Sequence, residues 1–553
     1  MSKSIACLFA TLMLGAGFTF AERPRDMPQQ GLSSQPGSPT PEEIIAEMDR
    51  LVAAYPRICV KRVYGKSVKG VQLAALKISD NPAEDEDEPE ILFDGGIHGD
   101  ESIATDLIMR FVNRILTGYG IDAGITKLID SREIWFYCMV NPDGREKSRE
   151  NANGIDLNRD YGYMKVGAFT QPESRGVRDC LLENQFALQF SYHAGIEYLL
   201  YPWCFSPSLS PDKALHSFLA DLYSTTSGYY DKSKNVQSYF DYKTDGETID
   251  YAYGVLGTAA LTMEVAVGNV LLPKYYAAGE PAMLKMIEYA GYGLEGAITD
   301  AKTGQGVAAI VTVNDYMPFY SDPKAGDYHK FVPAGTYAIK VTANGYLPQT
   351  IPAVTAPASG AVRTNMRLEP DPAAKSTFAY RVIYAEPGIG KPQDLTGPPD
   401  NRTFTGVVVV DLQNPVADQP GMEFRLHASG TAQYACFAGA APDGPWAPLG
   451  TGSGATRDFD LSAAGLPTAR YLKVTGGASL DAVEVLRAPV VSLDGIHPGS
   501  AGYAGRSPGS RPRLEVDLAR SRVYFRLGES GPGKDRAFDA RGSRGDGYRR
   551  QAP

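Results

Sequence analysis

The hydrophobic pattern splits the chain into a region where strand-like and helix-like stretches alternate and later regions of short β-type runs. The first begins at "TPEEIIAEMDRLVAAYP", which reads as a helix that Thr40 caps and Pro41 opens. Within it, "EILFDGGIHGDES" followed by "IATDLIMRFVNRIL" predicts a strand, a turn, and a helix with apolar residues at helical spacing. "LQFSYHAGIEYLLYPW" and "GVLGTAALTMEVAVGN" each contain a further apolar, strand-like run. Alternation of this kind to about residue 292 predicts an α/β domain with a largely buried sheet. The acidic run "DNPAEDEDEPE" inside it reads as a solvated loop between strands rather than a cation site, because charge this crowded repels itself.

From Gly293 the texture changes. "GLEGAITDAKTGQGVAAIVTVND" and "FVPAGTYAIKVTANGYLPQTI" carry Gly and Pro at short intervals and few helix signals, which predicts a small β-sandwich over 293–370. A linker is expected over 371–399, then a second β-rich domain over 400–490 with "TGVVVVDLQ", "MEFRLHASG" and "RYLKVTGG". Residues 491–553 are rich in Gly, Ser, Pro and Arg with little periodicity, and are expected to be mostly disordered.

Bulk properties narrow the function. A chain of 553 residues is too long for one ordinary domain. Its formal charge of −10 gives no support for nucleic-acid binding through a general positive surface. The start, "MSKSIACLFATLMLGAGFTFAERP", reads as a secretory signal over 1–21, with Ala21 at the cleavage point, and 22–40 as a flexible linker. No later run approaches about 18 uninterrupted apolar residues, so no transmembrane segment is expected in the mature chain. Once the signal leaves, Cys59, Cys138, Cys180, Cys204 and Cys436 remain, an odd set without close metal spacing, in which at most two disulfides can form.

Three residues suggest a metal centre. His98 falls in the strand-to-helix turn and Glu101 near the helix start, so imidazole and carboxylate can converge. An isolated H-x-x-E is weak, since a Glu at a helix start is also explained by the helix dipole. His193 closes a strand-like segment and is followed by small residues, as a side chain facing a cleft would be; a satisfied core histidine is the alternative. Two imidazoles and a carboxylate from distant segments are the donor set of catalytic zinc. Glu264 is a lone acid in an otherwise apolar run, where a charge is costly unless paired or used.

With "NPDG", "SRENANGIDLNRDY", the H-x-x-E and the later His in this order, residues 41–292 resemble the zinc carboxypeptidases, or funnelins, and specifically their regulatory N/E-type branch. The block "GAITDAKTGQGVAAIVTV" is similar to the transthyretin-like β-sandwich that follows the catalytic domain in that branch. The resemblance implies a mixed central sheet flanked by helices and a zinc ion (Zn2+) held by His98, Glu101 and His193. It implies that Arg149 polarises the scissile carbonyl, that Asn158 and Arg159 hold the substrate's free carboxylate, and that Asp156 supports the first ligand histidine. A planar guanidinium suits both tasks, since it donates two parallel hydrogen bonds to a carboxylate and stabilises an oxyanion. Glu264 is the implied general base, taking a proton from water and passing it to the leaving amine. Counting back from it selects Tyr242 as the residue of a mobile loop that closes over the substrate, with Tyr239, Tyr251 and Tyr253 close by.

Specificity departs from the nearest relatives. Where they carry an acid that selects C-terminal Lys or Arg, "YPWCFS" has Cys204, and Ile249 stands where the pocket floor is expected. An apolar floor favours aliphatic or aromatic C-terminal residues; Glu247 lies near enough to reach a basic one. The resulting expectation is a secreted or periplasmic exopeptidase acting on the C-termini of peptides or proteins. A zinc amidohydrolase acting on N-acyl amino acids would share the ligand set, though "NPDG", Arg149 and the Tyr242 loop weigh against it. A non-catalytic secreted adhesion protein is opposed by the complete ligand set with Glu264, which leaves the β-rich modules free to bind a surface or matrix target.

Overall fold

The computed structural model describes residues 38–266, 268, 271–486, 513–517 and 522–526. The signal and most of the first linker lie outside the described residues. The predicted first helix, α1 (Pro41–Ala54), starts with a reciprocal cap: the Thr40 hydroxyl accepts from the Glu43 N–H, and the Glu43 carboxylate accepts from the Thr40 N–H. The chain continues through β1 (Cys59–Lys66), β2 (Gln72–Ile78), β3 (Glu90–Gly95), α2 (Ser102–Gly118), α3 (Ala123–Ile129), β4 (Glu133–Tyr137) and α4 (Pro172–Glu183). Then come β5 (Phe186–Ala194), β6 (Leu199–Tyr201), α5 (Lys213–Ser227), β7 (Asn235–Gln237), α6 (Thr248–Leu256), β8 (Ala259–Val265) and α7 (Leu272–Ala290). The eight strands form one mixed sheet in the order β1-β2-β4-β3-β5-β8-β6-β7. Its centre, β4-β3-β5-β8, is parallel. Every residue of β3, β4 and β5 is buried, which accounts for their near-continuous apolar runs.

The apolar stripe of α2, including Leu107, Ile108, Phe111, Val112 and Ile115, packs into the core on one face of this sheet. In an open sheet with parallel central strands, ligands bind beyond the carboxyl ends of the strands. That is where β3, β5 and β8 deliver the segments carrying His98, His193 and Glu264.

The next module is a two-sheet sandwich of β9 (Gly293–Asp300), β10 (Ile310–Val313), β11 (Phe319–Tyr320), β12 (Asp327–Lys330), β13 (Gly335–Thr342), β14 (Gln349–Ala356), β15 (Ala361–Arg363) and β16 (Met366–Leu368). One sheet runs β11-β10-β13-β14 and the other β12-β9-β15, with β16 also on β9. It is keyed into the α/β domain by a buried ion pair, Lys330 Nζ to Asp212 Oδ2 at 3.3 Å, and by Asp212 accepting from the Met317 N–H.

The last large module contains β17 (Thr377–Phe378), β18 (Arg381–Ala385), β19 (Val408–Ala417), β20 (Phe424–Ser429), β21 (Gln433–Gly439), β22 (Ala447–Ser453), β23 (Arg457–Phe459), β24 (Thr468–Gly476) and β25 (Ser479–Val485). They form sheets ordered β17-β25-β20-β23 and β18-β19-β24-β21-β22 around a separate apolar core. The stretch 371–399 is therefore not a linker. It supplies β17 and β18, whose shortness and neighbouring Pro and Gly hid them, and β18 reaches the α/β domain: the Ala385 N–H donates to Gly162 O at 2.9 Å. In the tail, Arg513–Asp517 and Arg522–Arg526 pair as an antiparallel hairpin, while the rest of the stretch expected to be disordered lies outside the described residues.

The acidic run is not simply a solvated loop. Pro82 and Pro89 are buried, Glu86 and Glu88 half-buried, and Asp87 is bound by Arg363 of the sandwich. Cys59, Cys138, Cys180, Cys204 and Cys436 are all buried and unpaired. No helix among the described residues is long and apolar enough to cross a membrane.

Candidate active site

The sharp turn after β3 is built on glycine. Gly96 has φ +67°, and a Cβ there would meet Thr105 Oγ1 at 2.3 Å. Gly99 lies against Gly144 so closely that a Cβ would sit 2.1 Å from the Gly144 carbonyl carbon. The "HGDE" and "NPDG" segments thus touch backbone to backbone, and the Gly99 N–H donates to Arg149 O at 3.2 Å. This contact sets Arg149 beside the His98 loop.

His98, Glu101 and His193 converge and are buried. His98 Nδ1 is 2.8 Å from Glu101 Oε1 and 3.2 Å from His193 Nδ1, which is itself 3.2 Å from Glu101 Oε2. Glu101 stands at the N-cap of α2 but makes no side-chain cap bond. Its Oε2 instead accepts from the Ala194 N–H at 2.9 Å, tying the start of α2 to the end of β5. Burial opposes the charge of Glu101, yet His98 and hydrogen bonds from both imidazoles hold its carboxyl well below the usual range. Two ring nitrogens turned toward one ionised carboxylate in a buried pocket make a donor set that a zinc ion fits.

On the far side of His98, Nε2 meets Asp156 Oδ1 at 3.2 Å, while Asp156 Oδ2 accepts from Arg149 Nε at 2.9 Å. Burial works against the Asp156 charge, but His98, Arg149 and Arg159 together keep its carboxyl well below its ordinary value. Arg149 Nη1 lies 3.5 Å from Glu101 Oε1, so this guanidinium borders the metal centre. Glu264 is the in-register neighbour of His193 across the parallel β5–β8 pair, and a Cβ on Gly195 would lie 3.5 Å from Glu264 Oε2. Burial first, and the Glu101 charge second, push the Glu264 carboxyl up to about 8. A cation at the three ligands would draw it down again.

The second corner of the site is organised by Arg159. Its Nη2 donates to Tyr242 Oη at 3.1 Å and its Nη1 to Asn158 O at 2.7 Å, with Glu247 Oε1 3.3 Å from Nη1. The Asn158 side chain is fixed by accepting from the Thr248 N–H at 3.0 Å. Tyr242 is 39% exposed, as suits a group at the rim. Cys204 and Ile249 have no exposed surface, so in this conformation neither lines an open cleft.

Sequence reasoning missed one acid here, Asp250, and for Glu247 missed the partners that occupy it. Glu247 also accepts from the Cys204 thiol at 3.2 Å and from the Thr244 hydroxyl, and Asp250 accepts from the Cys204 N–H at 3.1 Å. Burial, then Asp250 and Glu247, push the Cys204 thiol well above its usual range, so it stays neutral. The available signal was "GETID", two acids in a run that faces "YPWC" across the fold.

Residues 44–278 match the family model described as zinc carboxypeptidase. Over that stretch the chain is similar to the zinc carboxypeptidases. It is 28% identical over 402 residues to rat carboxypeptidase D, covering 65% of this chain and 28% of that protein. Mouse carboxypeptidase M is 28% identical over 339 residues, covering 53% of this chain and 76% of that one. These are relatives of the regulatory branch that the loop wording resembles. The chain spans less than a third of the length of the carboxypeptidase D relatives from rat, mouse, human and duck. Among solved structures, it is similar to thrombin activatable fibrinolysis inhibitor with a TM-score of 0.42 and 20% identity, over 45% of this chain and 74% of that one.

Proposed function

We propose that this protein is a secreted or periplasmic carboxypeptidase that hydrolyses the last peptide bond of peptides or proteins. The observation that carries the reading is the convergence of His98, Glu101 and His193 with Glu264 in register beside His193 and Arg149 at the border. His98, Glu101 and His193 would hold zinc, which supplies Lewis acidity to water and to the scissile carbonyl. Asp156 orients His98 by engaging its outer nitrogen. Glu264 takes the proton from the attacking water and delivers it to the leaving amine. Arg149 stabilises the negative charge that develops on the carbonyl oxygen.

Arg159, with Asn158, receives the substrate's terminal carboxylate, and Tyr242 closes over the bound residue. Preference is for apolar C-terminal residues. Glu247 already has Arg159, Thr244 and Cys204 as partners, and Cys204 is a neutral thiol, so neither supports recognition of a C-terminal Lys or Arg. The first sandwich is the transthyretin-like module of the regulatory branch, and the last β-rich module is available to bind a surface or matrix.

Blocked dipeptides ending in Phe, Leu, Lys, Arg or Glu test the whole reading. Release of Phe or Leu by the zinc-loaded protein is expected, with Lys and Arg slower. Zinc-loaded protein that leaves every peptide intact and cleaves N-acyl amino acids would replace it with an amidohydrolase.

A further inference from the structure

Outside the active site, a second group of metal-ligating side chains lies where the acidic loop between β2 and β3 meets β12. Asp327 and His329 are two apart on β12, so they share one face of the strand. Asp87 comes to them from the loop. His329 Nε2 is 3.3 Å from Asp327 Oδ2 and 3.4 Å from Asp87 Oδ1. The side chains of His329 and Asp327 are only 7% and 8% exposed. Yet neither ring nitrogen of His329 makes a hydrogen bond, and Asp327 Oδ1 has no hydrogen-bond partner either. Buried polar atoms without partners are uncommon and costly.

The spacing itself is informative. Ligand atoms bound to zinc at about 2.0–2.2 Å in a tetrahedron stand about 3.4 Å apart, which is longer than a good hydrogen bond. The His98, Glu101 and His193 atoms are separated by 2.8 to 3.2 Å, so the two groups are of similar size. The surrounding charge also favours a cation. Glu295, the cross-strand partner of His329, brings Oε2 to 3.9 Å from its Nδ1. Arg363 holds Asp87 from the other side through both carboxylate oxygens and lies 3.6 Å from Glu295 Oε1. Three carboxylates and one guanidinium leave two negative charges, the complement of a divalent ion. Arg363 is then the partner that orients a ligating carboxylate.

We propose that Asp87, Asp327 and His329 form a second site for a divalent transition ion of the zinc class, which clamps the α/β domain to the first sandwich. One imidazole with two carboxylates suits zinc and its neighbours better than calcium or magnesium, which take oxygen ligands alone. The site stands apart from the carboxypeptidase reading and does not depend on it.

The test is metal counting on the full chain. Chelator-stripped protein is dialysed to equilibrium against micromolar free zinc, and zinc per chain is measured by mass spectrometry. Two equivalents are expected for the wild type, and one each for His193→Ala and His329→Asn. Asp87→Asn, which alters the loop and not the strand, should also reduce the count to one and serves if the β12 variant fails to fold. A single equivalent in the wild type, lost in His193→Ala and retained in His329→Asn, would overturn the proposal and leave His329 as a protonated strut between two carboxylates. Two equivalents retained in both His329→Asn and Asp87→Asn would overturn it equally.

Discussion

The two corners of the active site are built differently although both sit at one end of one sheet. At the metal corner each side chain is held by another that is itself held: Ala194 N–H on Glu101, Asp156 behind His98, Arg149 behind Asp156. Glu101 and the two imidazoles are buried there, Arg149 and Asp156 are half-buried, and the charges are matched. At the Arg159 corner the guanidinium is shared among a backbone carbonyl, an acid and a tyrosine at the surface. One corner is preorganised, and the other keeps an internal carboxylate on Arg159, where under the proposed function a substrate carboxylate would arrive. Preorganisation favours rate at the first. Displaceable contacts favour entry and release at the second.

Substitutions can break or sharpen this contrast. Glu264→Gln should have the largest effect, a fall in kcat of roughly 10²–10⁴-fold with zinc content unchanged, because only the proton acceptor is lost. Retained activity with full metal would remove Glu264 from the mechanism. Arg149→Ala should lower kcat by about 10²–10³-fold if it meets the developing oxyanion; a change confined to KM would assign it to substrate binding instead. Asp156→Asn should weaken zinc affinity by about 10–100-fold, measured by competition with a chelator, since an outer partner of a ligand histidine tunes its basicity. An unchanged affinity would mean that Asp156 serves Arg149 alone. Glu247→Gln should be smallest and opposite in sign, lowering KM about two- to fivefold as Arg159 is released from a partly exposed pair. A higher KM would show that Glu247 positions Arg159 rather than competing for it.

The metal corner was legible because its residues announce themselves locally. His98 and Glu101 are three apart at a strand-to-helix turn, and Glu264 interrupts an apolar strand. Thr40 and Pro41 marked α1 for the same reason. The Arg159 corner was only half legible: Arg159 and Glu247 are 88 residues apart, on loops with no periodicity to align them. The partnership of Asp87 with Arg363 spans 276 residues, and nothing in an acidic run specifies that distance. β17 and β18 were missed because two- and five-residue strands give too few alternations to register, and their partners β25 and β19 come later in the chain. Local chemistry can be read from sequence, whereas closure between distant loops is fixed by the packing of the elements that carry them.

The way β18 is attached has a mechanical consequence. A domain on a tether wanders, and force applied to it is absorbed by the slack. Here Ala385 is bonded into the backbone at Gly162 and Lys165, and the Tyr384 hydroxyl accepts from the Gly167 N–H at 3.0 Å. Those three residues continue the segment that carries Asn158 and Arg159. Tension on the last module would reach the loop after Arg159 without slack between them, so an anchor gripping that module would also pull on the edge of the cleft.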